Sequence, residues 1–148
     1  IMTPYLILDD DMVTALTYAA KRGVDTVIVM PHIPDKKYAF MLAHSYYPEL
    51  MEAGVKIYEY LPGFIHSKTF VSDDEKAVVG SINMDFRSQY LNFECAVYIY
   101  KNPVVGDIRA DFDETLKKCV RMSMESYESL PLMHRFWGRT LRLIAPLM

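Results

Sequence analysis

The stretch His66-Ser-Lys-Thr-Phe-Val-Ser-Asp-Asp-Glu-Lys-Ala-Val-Val-Gly-Ser-Ile-Asn-Met-Asp85 reads as two short strands joined by a tight polar turn. Residues two apart in a strand project from the same face, so His66 and Lys68 aim at one spot: a nucleophile or acid beside a fixed cation. After the turn at Ser72 to Lys76, the apolar run Ala77-Val-Val leads into Gly80. Ser81 and Asn83 then repeat the two-residue spacing with hydroxyl and amide donors. Four polar heads are thereby placed to converge on one anion.

Working outward, Val55 to Tyr60 alternates Val55, Ile57 and Glu59 against Lys56, Tyr58 and Tyr60, a strand that leads through Pro62-Gly63 to His66. Before it, a helical stretch opens at Asp35, carries Tyr38, Met41, Leu42 and Ser45 on related faces, and stops at Gly54; Pro48 either kinks it or starts a new helix. Val24 to Met30 is β-branched and apolar, a strand covered on both faces and closed by Pro31. Asp9, Asp10 and Asp11 cap a helix that ends at Gly23. Ile1 to Thr3 is the stub of a strand ended by Pro4. Downstream, Phe93 to Tyr100 is a strand and Val105 to Glu125 an amphipathic helix. Strands interleaved with helices predict an α/β fold: a mixed sheet flanked by helices on both faces, with the polar cluster at strand ends.

The chain has 148 residues, 51% of them apolar and 24% charged, enough for one ordinary core; one domain over 1–148 is expected. A net charge of -3 argues against a generally basic nucleic-acid binder, so any anion must be met locally, and no nucleic-acid partner is expected. Cys95 and Cys119 match no metal or redox spacing and read as reduced structural thiols. No apolar run approaches a membrane span, so this piece reads as soluble or peripheral. It begins at Ile1 with what looks like a strand end, as a portion of a longer protein would.

Opening a phosphodiester is slow because its negative charge repels nucleophiles and its alkoxide leaving group needs a proton. Histidine is a nucleophile whose neutral form is available near its ordinary pKa of ~6.5. Lys68, Ser81 and Asn83 supply the preorganised positive and hydrogen-bonding groups that the phosphoryl oxygens require, with no metal or other cofactor. Asp73-Asp74-Glu75 reads as a solvated turn, and His32 and His44 as satisfied or exposed histidines.

His66-x-Lys68-x4-Asp73 followed by Gly80-Ser81-x-Asn83-x-Asp85 resembles the HKD signature of the phospholipase D superfamily. Thr3-Pro4-Tyr5, Asp9-Asp10, Glu52 to Tyr60, Arg87-Ser88 and Leu91-Asn92-Phe93-Glu94 extend the resemblance to the carboxy-terminal half of bacterial cardiolipin synthases over nearly the whole chain; Leu8 departs, where those sequences often carry proline. The resemblance implies that His66 is one of two facing HKD histidines. One forms a phosphohistidine while the other protonates the leaving alcohol and then activates the acceptor. It implies that Glu94 orients His66; Asp73 is read as structural near the site, and Arg87 as either lining the phosphate site or pairing with a carboxylate such as Asp85.

Only one HKD copy is present, so the second must come from a missing amino-terminal half or from a second copy of the chain. The implied substrate is phosphatidylglycerol and the implied product cardiolipin, with the parent protein at the bacterial cell membrane and this domain on its cytoplasmic side. A phospholipase D-type hydrolase or nuclease shares the chemistry. An isolated, inactive structural or interaction module is the alternative of another kind. The tail from Pro131, with Arg135, Arg139 and Arg142 on one side, is read as packing on the parent protein, with anionic lipid as its rival partner.

Overall fold

The computed structural model describes residues 1–147. Its first element, β1 (Leu6–Ile7), is followed by α1 (Asp10–Lys21), capped by Asp9, whose carboxylate accepts a hydrogen bond from the Met12 N–H. Gly23, with φ of 89°, lets the chain turn out of α1 in a conformation that a Cβ disfavours. β2 (Val27–Pro31) begins three residues later than its β-branched composition predicts. α2 (Lys37–Glu52) runs unbroken through Pro48, so the proline starts no new helix. β3 (Lys56–Tyr60) and β4 (Thr69–Ser72) follow, and then β5 (Lys76–Gly80) and β6 (Met84–Asp85). A five-residue π-turn (Arg87–Leu91) separates β6 from β7 (Ala96–Tyr100).

The helix expected over Val105 to Glu125 is three elements: α3 (Val104–Leu116), β8 (Cys119–Arg121) and α4 (Met124–Glu128). The 3.6-residue periodicity of Ile108, Phe112 and Leu116 is real, but Cys119 and Val120 pair antiparallel with Tyr60 and Glu59 of β3. Sheet pairing of a β-branched residue overrides the helical pattern there. The tail forms α5 (Leu132–Leu141) and a 3-10 turn (Arg142–Leu147).

Two three-stranded sheets, ordered β2-β3-β8 and β4-β5-β7, are joined by the chain's first residues. Met2 bridges Val29 in parallel and Thr69 in antiparallel fashion, with Met2 N–H donating to the Thr69 carbonyl at 2.8 Å and Thr3 N–H to that of Val29 at 3.1 Å. The stub therefore lies mid-sheet, and the whole is a mixed sheet. β1 and β6 form a separate parallel pair.

Alternation divides the faces. Ile28, Met30 and Ile57 pack into the larger core with Leu42, Tyr46, Tyr47 and Leu50 of α2, whereas Val29, Tyr58 and Tyr60 pack against Ile108, Phe112 and Leu116 of α3. Helices thus cover both faces, as expected of this α/β class.

α5 lies on α2 through its small and polar side. A Cβ on Gly138 would fall 2.3 Å from the Met41 carbonyl oxygen, so only glycine permits the approach. Of the three tail arginines, Arg142 pairs with Glu49 at 3.2 Å and stacks 4.3 Å over Tyr46, and Arg135 stacks 5.0 Å over Tyr127. It is Leu132, Met133 and Phe136 that face solvent. Among the described residues no helix is long and apolar enough to cross a membrane.

Candidate active site

His66 and Lys68 sit immediately before β4, not within it: regular pairing begins at Thr69, although the Gly80 N–H still reaches the Lys68 carbonyl at 3.3 Å. That contact fixes the lysine backbone. Its ammonium folds back to donate to the His66 carbonyl at 2.8 Å and to His66 Nδ1 at 3.0 Å. Phe64 lies 5.5 Å from the imidazole and Tyr5 6.4 Å from Phe64, an aromatic backing for the histidine. Partial burial, and secondarily the Lys68 charge, lower the His66 pKa, with Asp35 opposing; the ring is held neutral. With Nδ1 accepting from Lys68, its proton sits on Nε2. Lys68 itself is lowered by burial, against the fields of Asp85 and Glu94.

Ser81 leaves β5 beside β7. Its N–H donates to the Cys95 carbonyl at 3.0 Å, and its hydroxyl accepts from the Cys95 N–H at 3.0 Å and donates to Glu94. Strands β5 and β7 meet so closely that a Cβ on Gly80 would fall 2.3 Å from the Cys95 carbonyl oxygen. The other Glu94 oxygen accepts from Ser88 at 2.8 Å and from Asn92 at 3.1 Å. The hydrogen bonds from Ser81, Asn92 and Ser88 hold the Glu94 carboxyl below its ordinary pKa. Its two oxygens are taken by these three donors, and no bond from His66 to Glu94 is made among the described residues. Ser88 and Asn92, which the sequence did not mark as site residues, are what hold it. Their signal was proximity to Glu94 across the π-turn.

Asn83, Asp85 and Arg87 line a cleft of about 620 Å³ that opens between β6, α2 and the tail. Asn83 Oδ1 is buried without a partner. Asp85 is buried and accepts from the Ser88 N–H at 2.7 Å, but it makes no ion pair with Arg87 among the described residues. Arg87 is therefore not spent on Asp85.

Asp73 corrects one expectation. It stands in the exposed turn between β4 and β5, with φ of 54°, accepting from the Ser72 hydroxyl at 3.2 Å. All of β4 separates it from Lys68, roughly 16 Å at the rise of an extended strand. The hairpin turn needs a residue that tolerates positive φ, which Asp does, and the structure does not bring Asp73 to His66.

A second polar cluster lies in the core. Glu59, at a core-facing position of β3, accepts from His44 at 2.9 Å, from His32 at 2.7 Å and from the Tyr47 hydroxyl at 3.1 Å; His44 Nδ1 lies 3.0 Å from His134 Nε2 of α5. Burial pushes the Glu59 carboxyl up, but hydrogen bonding and charge from His44, then hydrogen bonds from His32 and Tyr47, more than offset it, and its pKa is lowered. Reading His32 and His44 one by one missed this cluster. Glu59 sharing a strand face with Val55 and Ile57 was the available signal.

The model of the family described as "Cardiolipin synthase, PLD-like domain" matches residues 1–116. A cardiolipin synthase of Geobacillus sp. is 45% identical over the whole chain, which covers 30% of that protein. Among solved structures, a phosphatidylserine synthase of Haemophilus influenzae superposes with a TM-score of 0.73 at 14% identity, covering 100% of this chain and 41% of that one. The phospholipase D family member Nuc of Salmonella typhimurium superposes with a TM-score of 0.67 at 23% identity, covering 82% and 78%. The chain spans about a third of the length of the curated relatives it matches. With more than three quarters of its residues inside the matched region and the same fold in those structures, the chain belongs to the phospholipase D-like domain family of the cardiolipin synthases.

Proposed function

We propose that the chain forms one wall of a phosphatidyltransferase site, the single HKD half of a protein that joins two phosphatidylglycerol molecules into cardiolipin and glycerol. The observation that carries this reading is the His66–Lys68 pair at 3.0 Å, a neutral imidazole beside a cation, with the Ser81–Glu94 cluster one strand away.

In the proposed reaction, one of two facing histidines attacks phosphorus, forming a P–N bond as the P–O bond to glycerol breaks. The other histidine gives the departing oxygen its proton. It then takes the proton of the second lipid's hydroxyl, which attacks phosphorus and breaks the P–N bond. Nucleophilic use of His66 Nε2 requires the proton on Nδ1, the atom that Lys68 now occupies. An arriving phosphate competes for the lysine, frees Nδ1 and unmasks the Nε2 lone pair. Glu94 is then the acceptor proposed for Nδ1–H, and Lys68, Ser81 and Asn83 are the phosphate ligands.

The second histidine comes from the amino-terminal half of the parent or from a second copy, and a single copy of this chain is inactive. The parent works at the bacterial membrane, with this domain on the cytoplasmic side. His66 is exposed, which favours one second reading: water as acceptor, giving a phospholipase D-type hydrolase. The full-length protein on phosphatidylglycerol vesicles separates the two. Cardiolipin and glycerol in equal amounts are expected, and phosphatidic acid with no cardiolipin would establish the hydrolase. This chain is expected to turn over when mixed with the amino-terminal half, and turnover by the chain alone as a dimer would assign the second histidine to a second copy.

A further inference from the structure

The cleft lined by Asn83 does not include Lys68 or Ser81 in its walls. Its lining includes two cations, Arg87 and Lys36, and three apolar residues of the tail, Leu141, Ile144 and Leu147. Its volume of about 620 Å³ suits a small ligand or a lipid headgroup with its glycerol. Neither cation forms an ion pair within 4.0 Å among the described residues; the Lys36 ammonium rests 5.3 Å over the Tyr5 ring. Asp85 is the one carboxylate lining the cleft, so two cations face one acid. Tyr5, which also lines it, ties up the neighbouring Asp35 by donating to its carboxylate at 2.5 Å. A monoanionic, partly apolar ligand matches this arrangement in charge and in surface.

We infer that this cleft is the seat of the acceptor lipid: the phosphodiester of a second phosphatidylglycerol lies between Arg87 and Lys36, and its acyl-bearing side rests on Leu141, Ile144 and Leu147. The inference rests on the transferase reading above and deepens it. A phosphatidylglycerol phosphate and its terminal hydroxyl are joined by one three-carbon glycerol. Anchoring the phosphate at Arg87 and Lys36 keeps the hydroxyl within the reach of one glycerol, in a cleft whose lining includes Asn83. An anchored alcohol then outcompetes water through proximity. The 3-10 turn that follows α5 gains a role as the apolar wall of the acceptor site.

Two measurements on the full-length protein test this, using short-chain phosphatidylglycerol. First, the Lys36→Met/Arg87→Met double variant should lower the ratio of cardiolipin to phosphatidic acid by about tenfold or more, since losing two charged contacts of one ligand costs at least that factor. An unchanged ratio overturns the inference. Second, in a His66→Ala background, equilibrium binding should lose one phosphatidylglycerol per chain when the two cations are also replaced; the same stoichiometry in both proteins overturns it. The second measurement decides the matter if the double variant makes no product. If the wild-type protein makes only phosphatidic acid, the transferase reading fails on that result, while the loss of one bound lipid still reports on the cleft.

Discussion

At the residue scale the site is governed by which atom holds the His66 proton. The imidazole is neutral because partial burial and the adjoining ammonium both disfavour its cation, so its folded pKa lies below the ordinary imidazole value. NMR titration of the His66 ring should place its midpoint below ~6.5, and Lys68→Met should move it part of the way back up. A midpoint at or above the ordinary value in the unsubstituted chain would contradict the Lys68 contact. Glu59 sets a different test. Replacing His44 with alanine leaves a buried carboxylate short of its main partner, which should cost about 3 kcal/mol or more in denaturant unfolding. A cost under about 1 kcal/mol would mean that the carboxylate is solvated after all.

At the scale of elements, two glycines hold surfaces together that other residues would separate. Gly138→Val should lift α5 from the Met41 carbonyl and cost about 1–3 kcal/mol of stability. Gly80→Ala should force β5 from β7 at Cys95 and Ala96, displacing Ser81 from Glu94, so both stability and turnover should fall. Loss of stability with full turnover per folded molecule would detach Ser81 from the chemistry. Most elements were legible because their signals are local: the Asp9 cap, the positive-φ exits at Gly23 and Gly54, and the alternation of Val55 to Tyr60. β8 was not, since Cys119 to Arg121 continue a helical period and become a strand only because β3 offers an open edge. For the same reason the His66 strand begins late, where pairing with Val79 starts.

For the whole molecule, two members of the core polar cluster, Glu59 and His134, answer acid over different pH ranges. Glu59 has a folded pKa below its unfolded one, so its stabilisation is complete above the unfolded carboxylate value of ~4.3 and fades as pH falls through the folded value. His134 is lowered mainly by burial and then by His44; its contribution is complete above ~6.5 and fades below, as the unfolded chain takes up the proton first. These two groups should therefore make stability decline beneath about pH 6.5, and His134→Gln should shrink the upper part of that decline, to which the lowered pKa of His66 also contributes. An unchanged profile in the variant would place the titrating group elsewhere.

The HKD-like spacing of His66, Lys68, Ser81 and Asn83 was readable because four positions within twenty residues mark it. The hydrogen bonds that engage Glu94 through Ser88 and Asn92 arise only when the π-turn folds back, and the Asn83–Arg87 cleft needs the tail, more than fifty residues away, to close it. Everything assigned to this chain's chemistry passes through one imidazole. The most direct measurement is the initial rate of cardiolipin formation from phosphatidylglycerol by the full-length protein and by its His66→Ala variant, with folding matched by circular dichroism. The account predicts a fall of at least about a hundredfold, the minimum expected for losing a nucleophile or proton-transfer group, whereas a rate within a few-fold of the unsubstituted protein would contradict it.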